Sequence, residues 1–279
     1  MKSSEIITNN DGSIYHLSLK PGQFAKDIIF VGDPFRVDIV SKYLNNIEFT
    51  IQNREFKSVT GYYDEKRISV ISTGIGGSNI DIVINELDIL FNYDFSERKW
   101  KKNHTSLNFI RIGTSGSISE DIPVDSFLLS ESALDLNSQL SSYDLKNYSS
   151  KNMSKIVLNN NQKLLCFKSS QDLFKKFDSN NIYKGLTATC NGFYNFQGRN
   201  TRIPLMTLID FEDLNKLTHN GIIVTNLEME TAIIYGLSDF LGHQAVSLNA
   251  ILANRVQKSY SENPNHVINS LIEYTLNRI

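Results

Sequence analysis

The chain has 279 residues, with 28 Lys and Arg against 30 Asp and Glu, so its formal net charge is −2. That length holds one large α/β domain or two small ones, and the even balance argues against general nucleic-acid binding, which needs a basic excess. Apolar residues at 41% argue against disorder, no apolar run reaches the roughly 18–20 residues that span a bilayer, and two cysteines, Cys166 and Cys190, argue against a disulfide framework or a structural zinc site.

The opening MKSSEIITNNDGS carries no apolar stretch of a secretory leader, so a cytoplasmic location is expected. Ile28–Val31 reads as a buried strand that stops at Gly32-Asp33-Pro34, with a helix over Phe35–Leu44 behind it. Residues 47–63 alternate and contain turn formers, as an antiparallel excursion does. Ile68–Ser72 is a second core strand running into Thr73-Gly74-Ile75-Gly76-Gly77-Ser78 and a helix over Asn79–Phe91. The polar stretch 95–105 reads as a solvated basic insertion. Leu107–Ile112 is a third strand closing on Gly113-Thr114-Ser115-Gly116, and Ser126–Leu134 a fourth. Residues 137–163, rich in Ser, Asn and Lys, read as an irregular loop. Beyond it come a helix at Ser170–Phe177, a strand at Gly185–Cys190, a helix at Asp210–Leu217, a strand at Ile222–Asn226, a helix at Glu228–Leu241, a strand at Gln244–Leu252 and a helix at Pro264–Arg278. Strands alternating with helices, with no linker or repeat, predict a single α/β domain over residues 1–279.

Three glycine-bearing segments follow three predicted strands, and in a mostly parallel sheet they gather at the carboxyl ends where ligands bind. Their backbone N–H groups suit an anion, and Arg36 and Arg111 stand beside two of them with the Thr114 hydroxyl. Gly74–Gly77 is neither a dinucleotide fingerprint nor a P-loop. Any one of these arginines alone is an ordinary residue near a turn. Glu228-Met229-Glu230 offers carboxylates that accept from a vicinal diol, and equally the acidic residues that favour a first helical turn. Phe193 to Arg199 joins a ring for stacking to an amide, Gln197, and a guanidinium, Arg199, and composition alone leaves it open whether this loop reads a flat ligand.

Taken in order, FVGDPFRV at 30–37, REF at 54–56, STGIGGSN at 72–79, RIGTSGSI at 111–118, FYNFQGR at 193–199, NLEMETA at 226–232 and ANR at 253–255 resemble the nucleoside phosphorylase-I family over most of the chain. The resemblance implies a three-layer α/β/α sandwich with a central mixed, partly barrel-like sheet. It also implies a pentosyltransferase that carries out reversible phosphorolysis of uridine to uracil and ribose 1-phosphate. A purine or other nucleoside phosphorylase, or a nucleosidase, is the alternative. Phosphate would be held by Gly32, Arg36, Arg111 and Thr114, with Arg54 reaching in from a neighbouring subunit. Ribose would lie on Glu230 against Met229, with His16 of the neighbour at the 5′-hydroxyl. The base would stack near Phe193 and be read by Gln197 and Arg199, with Arg255 behind them. The catalytic set is then Arg36, Arg111, Thr114, Gln197 and Arg199.

The resemblance implies no organic cofactor, inorganic phosphate as co-substrate, and a monovalent cation such as K⁺ on Glu55, the Ile75 carbonyl and Asn79 at a dimer interface. Nucleic acid and membrane are not expected partners. A homodimer is the minimal active unit it implies, and a hexamer the assembly. The purine branch uses an Asp late in the chain for N7, where this sequence has Asn254, an amide that cannot give up that proton. Two positions depart from the pattern: Phe196 replaces a Gly and is expected to reshape the base pocket, and Asn79 replaces a Ser in the cation set.

Overall fold

The structure, a computed structural model, describes residues 4–136, 138–144, 150–157, 163–203, 214, 217–219 and 221–279. In chain order the elements are β1 (Asp27–Val31), α1 (Pro34–Ser41), β2 (Asn45–Asn53), β3 (Phe56–Tyr63), β4 (Lys66–Ser72), α2 (Gly77–Asn92), β5 (Tyr93–Asp94), β6 (Lys99–Trp100), β7 (Asn108–Ser117) and β8 (Phe127–Asp135). They continue with β9 (Met153–Val157), β10 (Lys163–Lys168), α3 (Gln171–Phe177), β11 (Tyr183–Thr189), β12 (Thr218–His219), β13 (Ile222–Glu228), α4 (Thr231–Leu241), β14 (Gln244–Asn254), β15 (Ser259–Tyr260) and α5 (Pro264–Leu276).

β1 lies between β4 and β7, parallel to both, and β14 continues the parallel set beyond β7. A strand covered on both faces is apolar without alternation. β1 shows it: Ile28 and Phe30 join a core cluster with α2 and α4, while Ile29 and Val31 join a second with α1, α3 and α5. This makes the three layers expected from the resemblance. The order β13–β11–β8–β14–β7 closes on itself, because β13 also pairs antiparallel with β7 at Asn226↔Ser117 and Leu227↔Gly116. A five-stranded barrel is thus built into one mixed sheet.

Helix starts follow local chemistry. Pro34 stands at the head of α1 and the Asp33 carboxylate accepts the Arg36 N–H at 2.9 Å. α4 ends on Gly242 at φ +74°, where the N–H groups of His243 and Gly242 bond back to Ser238 and Asp239.

The main departure from expectation is at 113–117. β7 does not close at Ile112 but runs through Gly113-Thr114-Ser115-Gly116 to Ser117, held by β14 on one side and β13 on the other. Gly113 is a strand residue that makes room for a side chain: a Cβ there would stand 1.7 Å from Arg111 Nη1, folded back over it from two residues earlier on the same face. The stretch 137–163 is not wholly irregular, since Met153–Val157 forms β9 against β10, a strand whose apolar Leu164–Phe167 was not predicted. The insertion at 95–105 carries β6, which pairs back on β5 just before it, with Trp100 edge-on to Tyr93. The helix expected at 228–241 starts only at Thr231, because Glu228 still belongs to β13. The helix expected at 210–217 falls outside the described residues apart from Leu214 and Leu217.

Candidate active site

A cavity of about 630 Å³ opens at the carboxyl ends of β1, β4, β7, β13 and β14. Arg36, Arg111, Arg199, Arg255 and Lys258 line it against Asp33, Glu228 and Glu230, a surplus of two positive charges. A chain of net charge −2 therefore carries a local field of the opposite sign, matched to a small dianion.

One end of the cavity is made by residues rooted in core strands. Arg111, 8% exposed, donates from Nη1 to Asn249 Oδ1 at 2.9 Å and from Nη2 to Glu230 Oε2 at 2.5 Å, with Glu228 Oε2 3.2 Å away. Burial works against its charge, yet Glu228 and Glu230 hold its pKa above the ordinary arginine value. Arg36 comes from the first turn of α1, 3.2 Å from Asp33 Oδ2, and burial lowers its pKa. Gly32 and Thr114 complete this wall.

The two acidic residues of the Glu-Met-Glu segment have separate tasks. Glu228 caps α4: its carboxylate accepts the N–H groups of Glu230 and Thr231 at 2.9 Å and the Thr189 hydroxyl at 2.6 Å. Glu230 sits at the cap position yet does not cap. It turns into the cavity, bonding Arg111 and accepting the Gly76 N–H at 2.7 Å. Gly76 reaches it from φ +90°, a conformation side chains resist. Burial raises the Glu230 pKa and the Glu228 charge adds to the rise, against Arg111 and the Gly76 N–H. Met229 lines the cavity between the two.

The opposite end is a loop. Gln197 is buried, and its Oε1 accepts from Arg199 Nη1 at 2.6 Å. Arg199 also donates to the Phe193 carbonyl at 2.5 Å and lies 3.8 Å from the centre of the Phe193 ring. Arg255, from the end of β14, donates to the Gln197 carbonyl and, at 3.3 Å, to that of Gly198. It thus braces the backbone of the loop that carries Gln197 and Arg199. Phe196, expected to reshape the base pocket, is absent from the cavity lining; it stands beside Gly192 and is half exposed.

Asn254 lies at the rim with both ends of its amide committed: Nδ2 donates to the Ser119 and Ile122 carbonyls, and Oδ1 accepts from Val256 and Gln257 N–H. It shapes the strand end and has no group left for a base.

His16 and Arg54 lie outside the cavity lining of their own chain. His16 Nδ1 is 2.6 Å from Glu86 Oε1, and the Glu86 carboxylate also takes the N–H groups of His16 and Leu17, which pins this segment to α2. Arg54 occupies the β2–β3 turn at φ +54°, 5.8 Å over the Tyr15 ring. Glu55, Ile75 and Asn79 converge at Gly74, where a Cβ would stand 2.3 Å from the Asn79 amide nitrogen and 3.1 Å from Glu55 Cγ. Asn79 Nδ2 lies 3.4 Å from the Ile75 carbonyl oxygen. A carboxylate, a carbonyl and an amide are hard donors suited to a monovalent cation once the amide oxygen is turned inward.

At the amino end of β7, far along the strand from the cavity, Asp88, His104 and His243 form the one His/Asp cluster among the described residues. His243 Nδ1 accepts the Leu107 N–H at 3.3 Å, and its Nε2 lies 3.3 Å from Asp88 Oδ1 without a hydrogen bond between them.

The sequence profile of the phosphorylase superfamily matches residues 26–275. The chain belongs to that superfamily. Within it, the chain is 28% identical over 263 residues to a uridine phosphorylase of Thermococcus kodakarensis, covering 93% of this chain and 84% of that one. It is 26% identical over 238 residues to a DeoD-type purine nucleoside phosphorylase of Bacillus velezensis, covering 84% of each. The solved structure of a Trypanosoma brucei nucleoside phosphorylase, described as showing uridine phosphorylase activity, superposes with a TM-score of 0.85 at 28% identity and 98% coverage of both chains. Among the described residues of this superfamily member, no helix is long and apolar enough to cross a membrane.

Proposed function

We propose that the chain is a cytoplasmic uridine phosphorylase, acting in pyrimidine nucleoside salvage and breakdown. The observation that carries this reading is one cavity holding Arg111 bonded to Glu230 at one end and the Gln197–Arg199 pair at the other. On this reading the groups that would take anion and sugar adjoin at Arg111 and Glu230, and a polar pair in the same lining would read the edge of the base. The committed amide of Asn254 supports pyrimidine over purine.

On this reading phosphate displaces Arg111 Nη2 from Glu230 and lies on Arg36, Arg111, Thr114 and the Gly32 backbone. The freed Glu230 carboxylate accepts the 2′- and 3′-hydroxyls of ribose, beside Met229. A phosphate oxygen forms its bond to C1′ as the C1′–N1 bond breaks, through an oxocarbenium-like state. The electron pair passes to uracil and spreads to O2 and O4. The arginines position the nucleophile, and Gln197 and Arg199 are donors placed where negative charge develops, so they bind the transition state better than the ground state. Phe193 gives the base a stacking face, and Arg255 keeps the loop in place. His16 and Arg54 would complete the site of a neighbouring subunit, in a homodimer or an assembly built from it. A monovalent cation on Glu55, Ile75 and Asn79 would brace the Gly74–Gly77 turn.

The test is base release from uridine, thymidine, inosine and adenosine, with and without phosphate. Uracil release that requires phosphate is expected. Inosine turnover without uridine turnover, or release without phosphate, refutes the reading. The shared site is tested by mixing Arg54→Ala with Arg111→Ala chains: restored activity is expected, and none appears if each chain completes its own site.

A further inference from the structure

Each of the five barrel strands contributes a polar side chain to a belt of hydrogen bonds that leaves from β7 and returns to it. Arg111 Nη1 on β7 donates to Asn249 Oδ1 on β14 at 2.9 Å, and Asn249 Nδ2 donates to Ser130 Oγ on β8 at 3.3 Å. Ser130 Oγ is 2.6 Å from Thr187 Oγ1 on β11, which donates to Asn226 Oδ1 on β13 at 2.9 Å. Asn226 Nδ2 then donates to Ser115 Oγ at 2.9 Å, back on β7 and at the cavity wall. Because the Thr187 proton is committed to Asn226, Ser130 must be the donor in their contact, so every link donates in the same direction. Asn249, Ser130, Thr187 and Asn226 are all 0% exposed. A buried network with its donors and acceptors paired in this way has one low-energy arrangement.

The belt begins at the guanidinium of the anion end, and the first link is neutral. Arg111 already faces two carboxylates. Two carboxylates already outweigh its single positive charge, so a third would add to the excess negative charge beside the anion end, and an apolar residue would orphan Nη1. We propose that Asn249 is a positioning residue for the anion end of the cavity: it orients Arg111 through a neutral acceptor tied into the barrel belt, and so sets the affinity for phosphate. This rests on the phosphorolytic reading above.

The test measures KM for phosphate, KM for uridine and the thermal shift produced by inorganic phosphate, for wild type, Asn249→Ala and Asn249→Asp. Asn249→Ala is expected to raise KM for phosphate by about tenfold, the loss of one hydrogen bond to a charged group. KM for uridine stays near wild type, and the phosphate-induced thermal shift shrinks. Asn249→Asp keeps an acceptor of the same shape but adds charge, so it weakens phosphate at least as much as Asn249→Ala. A merely structural Asn249 gives the reverse order, with Asp the milder change and both KM values moving together, and that result overturns the proposal. Should Asn249→Ala not fold, Asn249→Ser takes its place in the same comparison. Phosphate-dependent wild-type activity with unaltered phosphate KM in the variants overturns this inference alone. Wild-type base release without phosphate overturns it together with the phosphorolytic reading.

Discussion

The two ends of the cavity are built on different principles. At the anion end, Arg111, Glu228 and Glu230 are all less than 10% exposed and come from β7, β13 and the start of α4, so their geometry is that of the core itself. At the other, the residues proposed to read the base sit on an excursion after β11, with Phe193 half exposed and the loop held by Arg199 and Arg255 donating to its own carbonyls. The first arrangement couples function to stability. The second lets the loop change without disturbing the fold, as suits the part of a site that chooses the substrate.

Arg111→Ala should break the first end on both counts. Activity is expected to fall by about a thousandfold or more through lost charge stabilisation. Stability should drop by about 3–5 kcal/mol in a denaturant titration, because two buried carboxylates lose their partner. Arg111→Lys should not restore activity, since an ammonium cannot hold Asn249, Glu228 and Glu230 at once from a planar fork. If stability is unaffected, the anion end is not part of the core in the sense described.

Arg199→Ala should separate the two ends. The expected loss in kcat/KM for uridine is about 10- to 100-fold, one donor to a developing charge, with stability changed by no more than about 0.5 kcal/mol. A fall in Tm comparable to that of Arg111→Ala would erase the contrast.

Glu230→Gln sharpens the coupling through pH. The Glu230 pKa is raised in the fold by burial and by Glu228. Its protonated form is thus favoured by folding, and that contribution, complete below the unfolded pKa, is lost as pH rises through the folded one. Relative to wild type, Glu230→Gln should therefore gain stability as pH rises above the unfolded carboxylate range, about pH 4, measured by thermal unfolding. A difference that is flat with pH contradicts the assignment.

The smallest effects concern groups beside the site but outside it. Phe196→Gly should leave the uridine kinetics unchanged, because the ring is absent from the cavity lining. Burial pushes the Cys166 and Cys190 thiols up to about 12, so neither should be alkylated at pH 8 in the native protein, and both should react on unfolding. Alkylation of native Cys190 would show that the β11 end of the loop opens.

Much of this was legible in residue order. Apolar strand runs ending in Gly32 and Gly74, a proline-led helix carrying Arg36, and the amide–guanidinium pair of Gln197 and Arg199 need only local chemistry. Long-range pairing was not legible. Gly113 looks like a turn residue until β14 and β13 are seen to hold it in a strand, with the Arg111 guanidinium above it. β10 was missed because a four-residue apolar run carries too little period to separate strand from helix. Asn249 carries no motif at all. The one available signal was its place two residues after Ser247 on β14, marking a polar inner face within an apolar strand.

By itself, then, the sequence determined most of the strands and helices and which residue types could meet an anion, a diol and a flat base, because these depend on neighbours a few positions apart. Only the tertiary structure decided which of two glutamates, separated by Met229, caps a helix and which enters the cavity, that Phe196 is absent from its lining, and that a neutral amide stands behind Arg111. Those depend on barrel closure, which brings β7, β13 and β14 within hydrogen-bond distance although more than a hundred residues separate the first from the others.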